Sequence, residues 1–173
     1  MIQPRGISFF QDVRQWLGGV RFDVIFDVGA NVGQSAHVFA EENPQATIHC
    51  FAPVERAFEE LERNIAYFPG IKAHRLAMGS RGRCATIYIP IESSLASFEP
   101  LGEYQTAEEV AVTTIDGFCA TEMIECIDLL KIDTEGHDVD VLQGAYMMLY
   151  QGRVNFVQVE ASFYGENKRF IEL

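Results

Sequence analysis

Two short stretches concentrate the residues able to do chemistry: "VIFDVGANVGQS" at 24–35 and "LLKIDTEGHDVD" at 129–140. The first sets a glycine turn, Asp27-Val28-Gly29-Ala30-Asn31-Val32-Gly33, behind an apolar run. A dinucleotide turn, G-x-G-x-x-G, uses its middle glycine to let the backbone approach a pyrophosphate. Here Asn31 holds that place and Gln34 the third, which disfavours a close-lying pyrophosphate. Asp27, at the tip of the run, repels phosphate and attracts ammonium or sulfonium. The pattern suits a cationic, phosphate-free nucleoside. S-adenosylmethionine is one, and its carboxylate suits a helix N-terminus. An aspartate before a glycine also makes a plain strand-ending turn.

The second stretch brings Lys131, Asp133, Glu135 and His137 within seven positions. In a parallel sheet the ligand lies beyond the carboxyl ends of the strands. Asp133, Glu135 and Glu160 fall at or just past such ends, on the same rim as Asp27. Methylating an alcohol from a sulfonium requires an in-line nucleophile and removal of the hydroxyl proton. Histidine ordinarily changes charge near neutral pH, which makes His137 the candidate base, although a histidine at a helix start also caps or packs. Asp133 and Glu135 share the base, substrate-positioning and cofactor-contact roles. Lys131 and Asp133 occupy one face of a strand, so Lys131 is expected in a structural ion pair. Carboxylates and a histidine on one rim suit Mg²⁺ or Mn²⁺, but their spacing has no diagnostic metal pattern and no metal is assigned. His37, His49 and His74 fall within regular elements and read as packed or exposed.

These residues need a frame. The run 24–28 ends at a glycine as a buried parallel strand does, and 34–42 reads as a helix stopped by Asn43 and Pro44. "ATIHCFAP" is a second strand, followed by a helix with Val54, Phe58, Leu61 and Ile65 at helical spacing. Residues 72–77 make a third strand, and "CATIYIPI" with "EVAVTTID" a peripheral pair flanking a long polar loop, 92–109, of lid length. Residues 128–133 form another buried strand. Asp138 is expected to cap the next helix, with Val139, Leu142, Tyr146 and Leu149 inward. Residues 154–160 are the next strand. Alternating strands and helices predict an α/β fold, a mostly parallel sheet with helices on both faces, and the strand–glycine turn–helix order of a nucleotide fold implies the strand order 3-2-1-4-5.

The 173 residues, 48% hydrophobic, suit one domain, with an N-terminal helical segment at 1–22 and a cofactor-binding core at 24–161. A formal charge of −12 opposes a nucleic-acid partner. No run approaches the roughly 18 apolar residues of a membrane span, and the N-terminus lacks a signal peptide's apolar core. Four scattered cysteines, Cys50, Cys84, Cys119 and Cys126, suit reduced thiols and a cytoplasmic location.

Together "VIFDVGANVGQS", "FAPVERAFEELERN", "VTTIDGF" and "DLLKIDTEGHDVDVLQGA" resemble the FkbM-type family of S-adenosylmethionine-dependent methyltransferases. The resemblance covers about residues 24 to 161. It implies a class I methyltransferase (Rossmann-like) fold and methyl transfer to a hydroxyl of a sugar, glycan or polyketide-type acceptor. It implies cofactor contacts at Asp27, Gly29, Asn31, Gly33 and Pro53, with Met78 and Gly79 near the adenine, and weaker substrate contacts at Ser94, Ser97 and Glu160. The family's second strand ends in Glu-Pro, its acid taking the ribose hydroxyls; here Ala52 precedes Pro53, and Glu55 one helical turn beyond is either a substitute for that acid or a solvated residue of the first helical turn. Class I enzymes add two strands beyond this point, so the 13 residues after Glu160 predict the shortened sheet's fifth strand at an exposed edge, a route to a homo-oligomer. Two other readings compete: an inactive methyltransferase-like binding module, which Ala52 permits, and an NAD-dependent oxidoreductase, which the glycine turn disfavours.

Overall fold

The computed structural model describes residues 9–90, 104–159, 161–162 and 171–172. Along the chain these form α1 (Phe9–Leu17), β1 (Val24–Val28), α2 (Gln34–Glu42), β2 (Thr47–Phe51), α3 (Glu55–Ile65), β3 (Ile71–His74), β4 (Ala77–Met78), β5 (Arg83–Pro90) and β6 (Tyr104–Thr113). Then follow α4 (Ile115–Glu122), β7 (Ile127–Ile132), α5 (Asp138–Gly144), α6 (Tyr146–Tyr150), β8 (Val154–Val159), β9 (Ala161–Ser162) and β10 (Ile171–Glu172).

The central sheet is all parallel, in the order β3-β2-β1-β7-β8, the expected 3-2-1-4-5. Strand alternation divides its side chains between two cores. Ile25, Ile48, Cys50 and Leu129 face one way, against Phe10 of α1, Phe39 of α2 and Leu61 of α3. Phe26, Val28, Phe51, Leu130 and Ile132 face the other, against Phe118 of α4, Val141 of α5 and Met148 of α6. Burial on both faces is why these strands read as continuous apolar runs. At the N-terminus Phe9 and Phe10 meet Phe22 edge-on, with ring centroids 6.0 and 4.9 Å apart, which pins α1 to the sheet.

Five expectations change. The run 72–77 splits: β3 ends at His74, while Ala77 and Met78 leave for a second sheet, β4-β6-β5, by pairing with Val112 and Thr113. Residues 104–109, read as part of a polar lid, belong to β6, held by antiparallel pairing to β5; Ser93, Ser94 and Ser97 lie outside the described residues, as does Glu160. Residues 115–122, assigned in part to a strand, are α4, whose N-cap Thr114 accepts from the Gly117 N–H at 2.9 Å. The last helix breaks at Ala145 into α5 and α6, so the buried positions are Val141, Ala145 and Met148, whereas Val139 and Tyr146 are exposed. Asp138 opens α5 but does not cap it: its carboxylate turns back to accept from the Thr134 N–H at 2.9 Å and from the Thr134 hydroxyl. The cap position is His137, whose side chain makes no capping hydrogen bond. Among the described residues β8 is the edge of the central sheet, and no helix is long and apolar enough to cross a membrane.

Candidate functional site

The sheet order reverses between β1 and β7, the place where doubly wound sheets open a crevice. A cavity of about 290 Å³ lies there. Its floor is the turn after β1. Gly29 is left-handed, with φ +85°, and a Cβ on it would stand 1.9 Å from the Asp133 carbonyl oxygen, so only glycine lets the two strand ends approach. The Gly29 and Ala30 N–H groups donate to the Phe51 carbonyl at 3.1 Å each, and the Asp133 N–H donates to the Val28 carbonyl at 3.0 Å. The tips of β2, β1 and β7 are thus tied into one rim. Asn31, also left-handed at φ 47°, lines the cavity with Gln34 and Ser35 of α2.

Two walls of opposite character rise from this floor. One is apolar: Phe51, Leu76, Ala77 and Met78, continued by Ala52, Pro53, Val54, Ala57 and Ile87. The other is polar: Lys131, Asp133, Thr134, Glu135 and His137. His137 Nδ1 lies 3.7 Å from the Asp140 carboxylate, and Glu135 occupies a left-handed conformation at φ 51°.

Asp27 is placed differently from the expectation. It is fully buried and does not line the cavity. Parallel register sets it opposite Lys131 on the neighbouring strand, and alternation puts both side chains on one face. Lys131 Nζ reaches Asp27 Oδ1 at 3.1 Å and Asp133 Oδ2 at 3.3 Å, which makes the expected ion pair a bridge of three groups. Burial pushes the Asp27 carboxyl above its ordinary range, with the Lys131 ammonium pulling it down. For Lys131 burial pulls down, but the two carboxylates prevail and hold the ammonium above its usual value. Asp27 therefore meets the cavity through Lys131.

Gly33 and Gly79 also stand off the cavity wall. A Cβ on Gly33 would lie 2.8 Å from Leu61 of α3, and one on Gly144 would lie 2.1 Å from the Gly79 carbonyl oxygen. Gly33 serves the close approach of α3 and Gly144 that of α5, whereas a Cβ on Gly79 itself would meet Val112 of β6 at 3.0 Å. Pro53 and Met78 do line the cavity, and Glu55 does not: its carboxylate accepts from Arg75 at 2.9 Å. His49 and His74 stack face to face, with ring centroids 5.2 Å apart, beneath Phe118 and outside the cavity. Among the described residues no group of three or more His, Cys, Asp or Glu side chains comes together as a metal cage. Sequence reasoning missed Phe51, Leu76, Ile87 and Thr134. Leu76 follows β3 closely enough to be found by position, but Ile87 arrives from the second sheet and had no local signal.

A glycine turn at the first strand tip, a strand-order switch beside it and a half-apolar cleft above both define a doubly wound α/β protein of the nucleoside-binding kind. Residues 27–172 match the methyltransferase FkbM domain, and the chain belongs to that family. It is 28% identical over 155 residues to the 2-O-methyltransferase NoeI of Sinorhizobium fredii, covering 80% of this chain and 63% of that one. It is 29% identical over 144 residues to the hexuronic acid methyltransferase AglP of Haloferax volcanii, covering 80% and 55%. Against the 31-O-demethyl-FK506 methyltransferase FkbM of Streptomyces tacrolimicus it is 28% identical over 160 residues, covering 70% and 59%. The chain spans about three-fifths of the length of these curated relatives.

Proposed function

We propose that this chain binds S-adenosylmethionine and methylates a hydroxyl oxygen on a sugar, glycan or polyketide-type acceptor. The division of one cavity carries the reading. Phe51, Leu76 and Met78 offer flat and polarisable surface for an adenine. The Gly29 turn crosses the middle, and Asp133 and Glu135 on the far rim suit an ammonium and a sulfonium. The residues present fit these two ends of the ligand. The names of the relatives support the acceptor class, since two are O-methyltransferases and one acts on a hexuronic acid.

When bound, S-adenosylmethionine supplies a methyl group made electrophilic by its sulfonium. The rest is work for the rim. Lys131 holds Asp133 in place from below. His137, with Nδ1 turned to Asp140, takes the acceptor's hydroxyl proton at Nε2, in the general-base role. The four cysteines are free thiols, which supports a reducing compartment such as the cytoplasm.

Calorimetry with S-adenosylhomocysteine and methyl transfer to a panel of hydroxylated acceptors test the reading. His137→Ala is expected to keep the affinity and to lose about 10²- to 10⁴-fold in turnover. Unchanged turnover moves the base role to Asp133 or Glu135, and absence of binding in the wild type ends the proposal.

A further inference from the structure

We infer that the donor subsite holds its nucleoside without reading the ribose hydroxyls, and that Ala52 is the specificity-determining residue responsible. The inference rests on the reading of the cavity as a methyl-donor site. Doubly wound folds place an acid at the tip of the second strand to accept hydrogen bonds from the ribose. Here that tip is Ala52, 1% exposed, its N–H donating to the His74 carbonyl at 3.1 Å and its methyl in the cavity wall.

Among the described residues no side chain continuing the wall from Ala52 takes over the role, and the polar lining residues Asn31, Gln34 and Ser35 belong to the turn after β1 and to α2. Pro53, Val54, Ala57 and Ile87 continue the wall, and none carries a hydrogen-bond acceptor in its side chain. The two carboxylates at the start of α3 point elsewhere. Glu55 accepts from Arg75 at 2.9 Å, and Glu108 accepts from the Glu55 N–H at 3.0 Å while lying 3.6 Å from Arg75; neither lines the cavity. The carboxylates that do line it, Asp133 and Glu135, follow β7. Register sets Phe51 and Ile132 on either side of Val28, so the tips of β2 and β7 stand two strand spacings apart, roughly 9–10 Å. One ligand spans that distance, but its ribose cannot face both tips. On the β2 side the ribose therefore meets a wall whose side chains pack and do not hydrogen-bond.

The test is calorimetry on the full chain with S-adenosylhomocysteine and its 2′,3′-dideoxy analogue. The wild type is expected to bind the two within about threefold of each other, because a charged acceptor for a hydroxyl is worth about ten- to a hundredfold. Ala52→Glu is expected to tighten S-adenosylhomocysteine by that factor and to leave the dideoxy analogue unchanged. Where thermal melts show that Ala52→Glu does not fold, Ala52→Asp replaces it, and the wild-type pair of affinities decides by itself. A wild type that prefers the ribose ligand tenfold or more overturns the inference, as does a folded acid variant that gains no preference. Equal binding of both ligands supports it, whereas binding of neither ends the donor-site reading from which it starts.

Discussion

Asp27 is a carboxyl side chain with no exposure to solvent, and its second oxygen, Oδ2, has no hydrogen-bond partner among the described residues. Such a group persists only because Lys131 sits 3.1 Å from the other oxygen. Removing one member of a buried pair strands the other in a poorly solvating interior, at about 3–5 kcal/mol, whereas replacing both by apolar groups of similar size is close to neutral. Asp27→Ala is therefore expected to lower the unfolding free energy by about 3–5 kcal/mol in urea titrations. Asp27→Leu combined with Lys131→Met is expected to recover most of that loss while displacing Asp133 and weakening ligand binding. A single Asp27→Ala variant as stable as the wild type would show that the pair does not hold the strand tips together.

At the scale of elements, the site depends on how closely β1 and β7 converge. Gly29 reports that distance, because an added Cβ would overlap the Asp133 carbonyl at 1.9 Å and would also meet a left-handed backbone. Neither obstacle is a flexible side chain that can move aside. Gly29→Ala is expected to cost at least about 3 kcal/mol, combining overpacking with the left-handed penalty. Gly82→Ala is the control: its Cβ would sit 3.8 Å from the nearest atom, the Val112 carbonyl oxygen, at ordinary contact. That variant is expected to fall within about 0.5 kcal/mol of the wild type. Chemical denaturation of the two, side by side, separates a close approach of backbones from a general loss of glycine freedom.

Two stacked histidines whose pKa burial lowers make the stability of the whole molecule depend on pH. His49 is buried among Phe26, Phe118 and His74, its Nδ1 3.0 Å from His74 Nε2. Burial, the neighbouring His74 and Lys72 lower its pKa to about 4. His74 is lowered too, by burial first and then Lys72, against a raising contribution from Glu122. A histidine held neutral in the folded state but free to protonate when unfolded contributes stability that is intact above the unfolded pKa. That stability is lost as pH falls from about 6.5 towards about 4. The loss is expected to reach about 3 kcal/mol for His49. Urea unfolding at pH 7, 5.5 and 4.5 is expected to show it, and His49→Phe to flatten the profile. Equal slopes in the two proteins would place the acid sensitivity in carboxylates.

Much of this was legible in the sequence because its signals are local. Apolar runs, one ending at a glycine, marked β1, β2 and β7; helical spacing marked α3; alternation put Lys131 and Asp133 on one face. The parallel sheet followed from strand–helix alternation, its order from the likeness of the glycine turn to a nucleotide fold, and the rim of Asp133, Glu135 and His137 from its place just past a strand. What the sequence left undetermined depends on distances between segments far apart in the chain. Only the register of β1 on β7 turned Asp27 away from the cavity and onto Lys131. Only helix packing gave Gly33 and Gly144 their reason to be glycine, and only the second sheet carried Ile87 to the cavity wall. Ala52 was visible from the start as a missing acid, but whether another carboxylate replaced it was decided by Arg75 and the N-terminus of α3, which engage Glu55 and Glu108. A pattern along the chain specifies which face a residue takes, and long-range packing then specifies what that face meets.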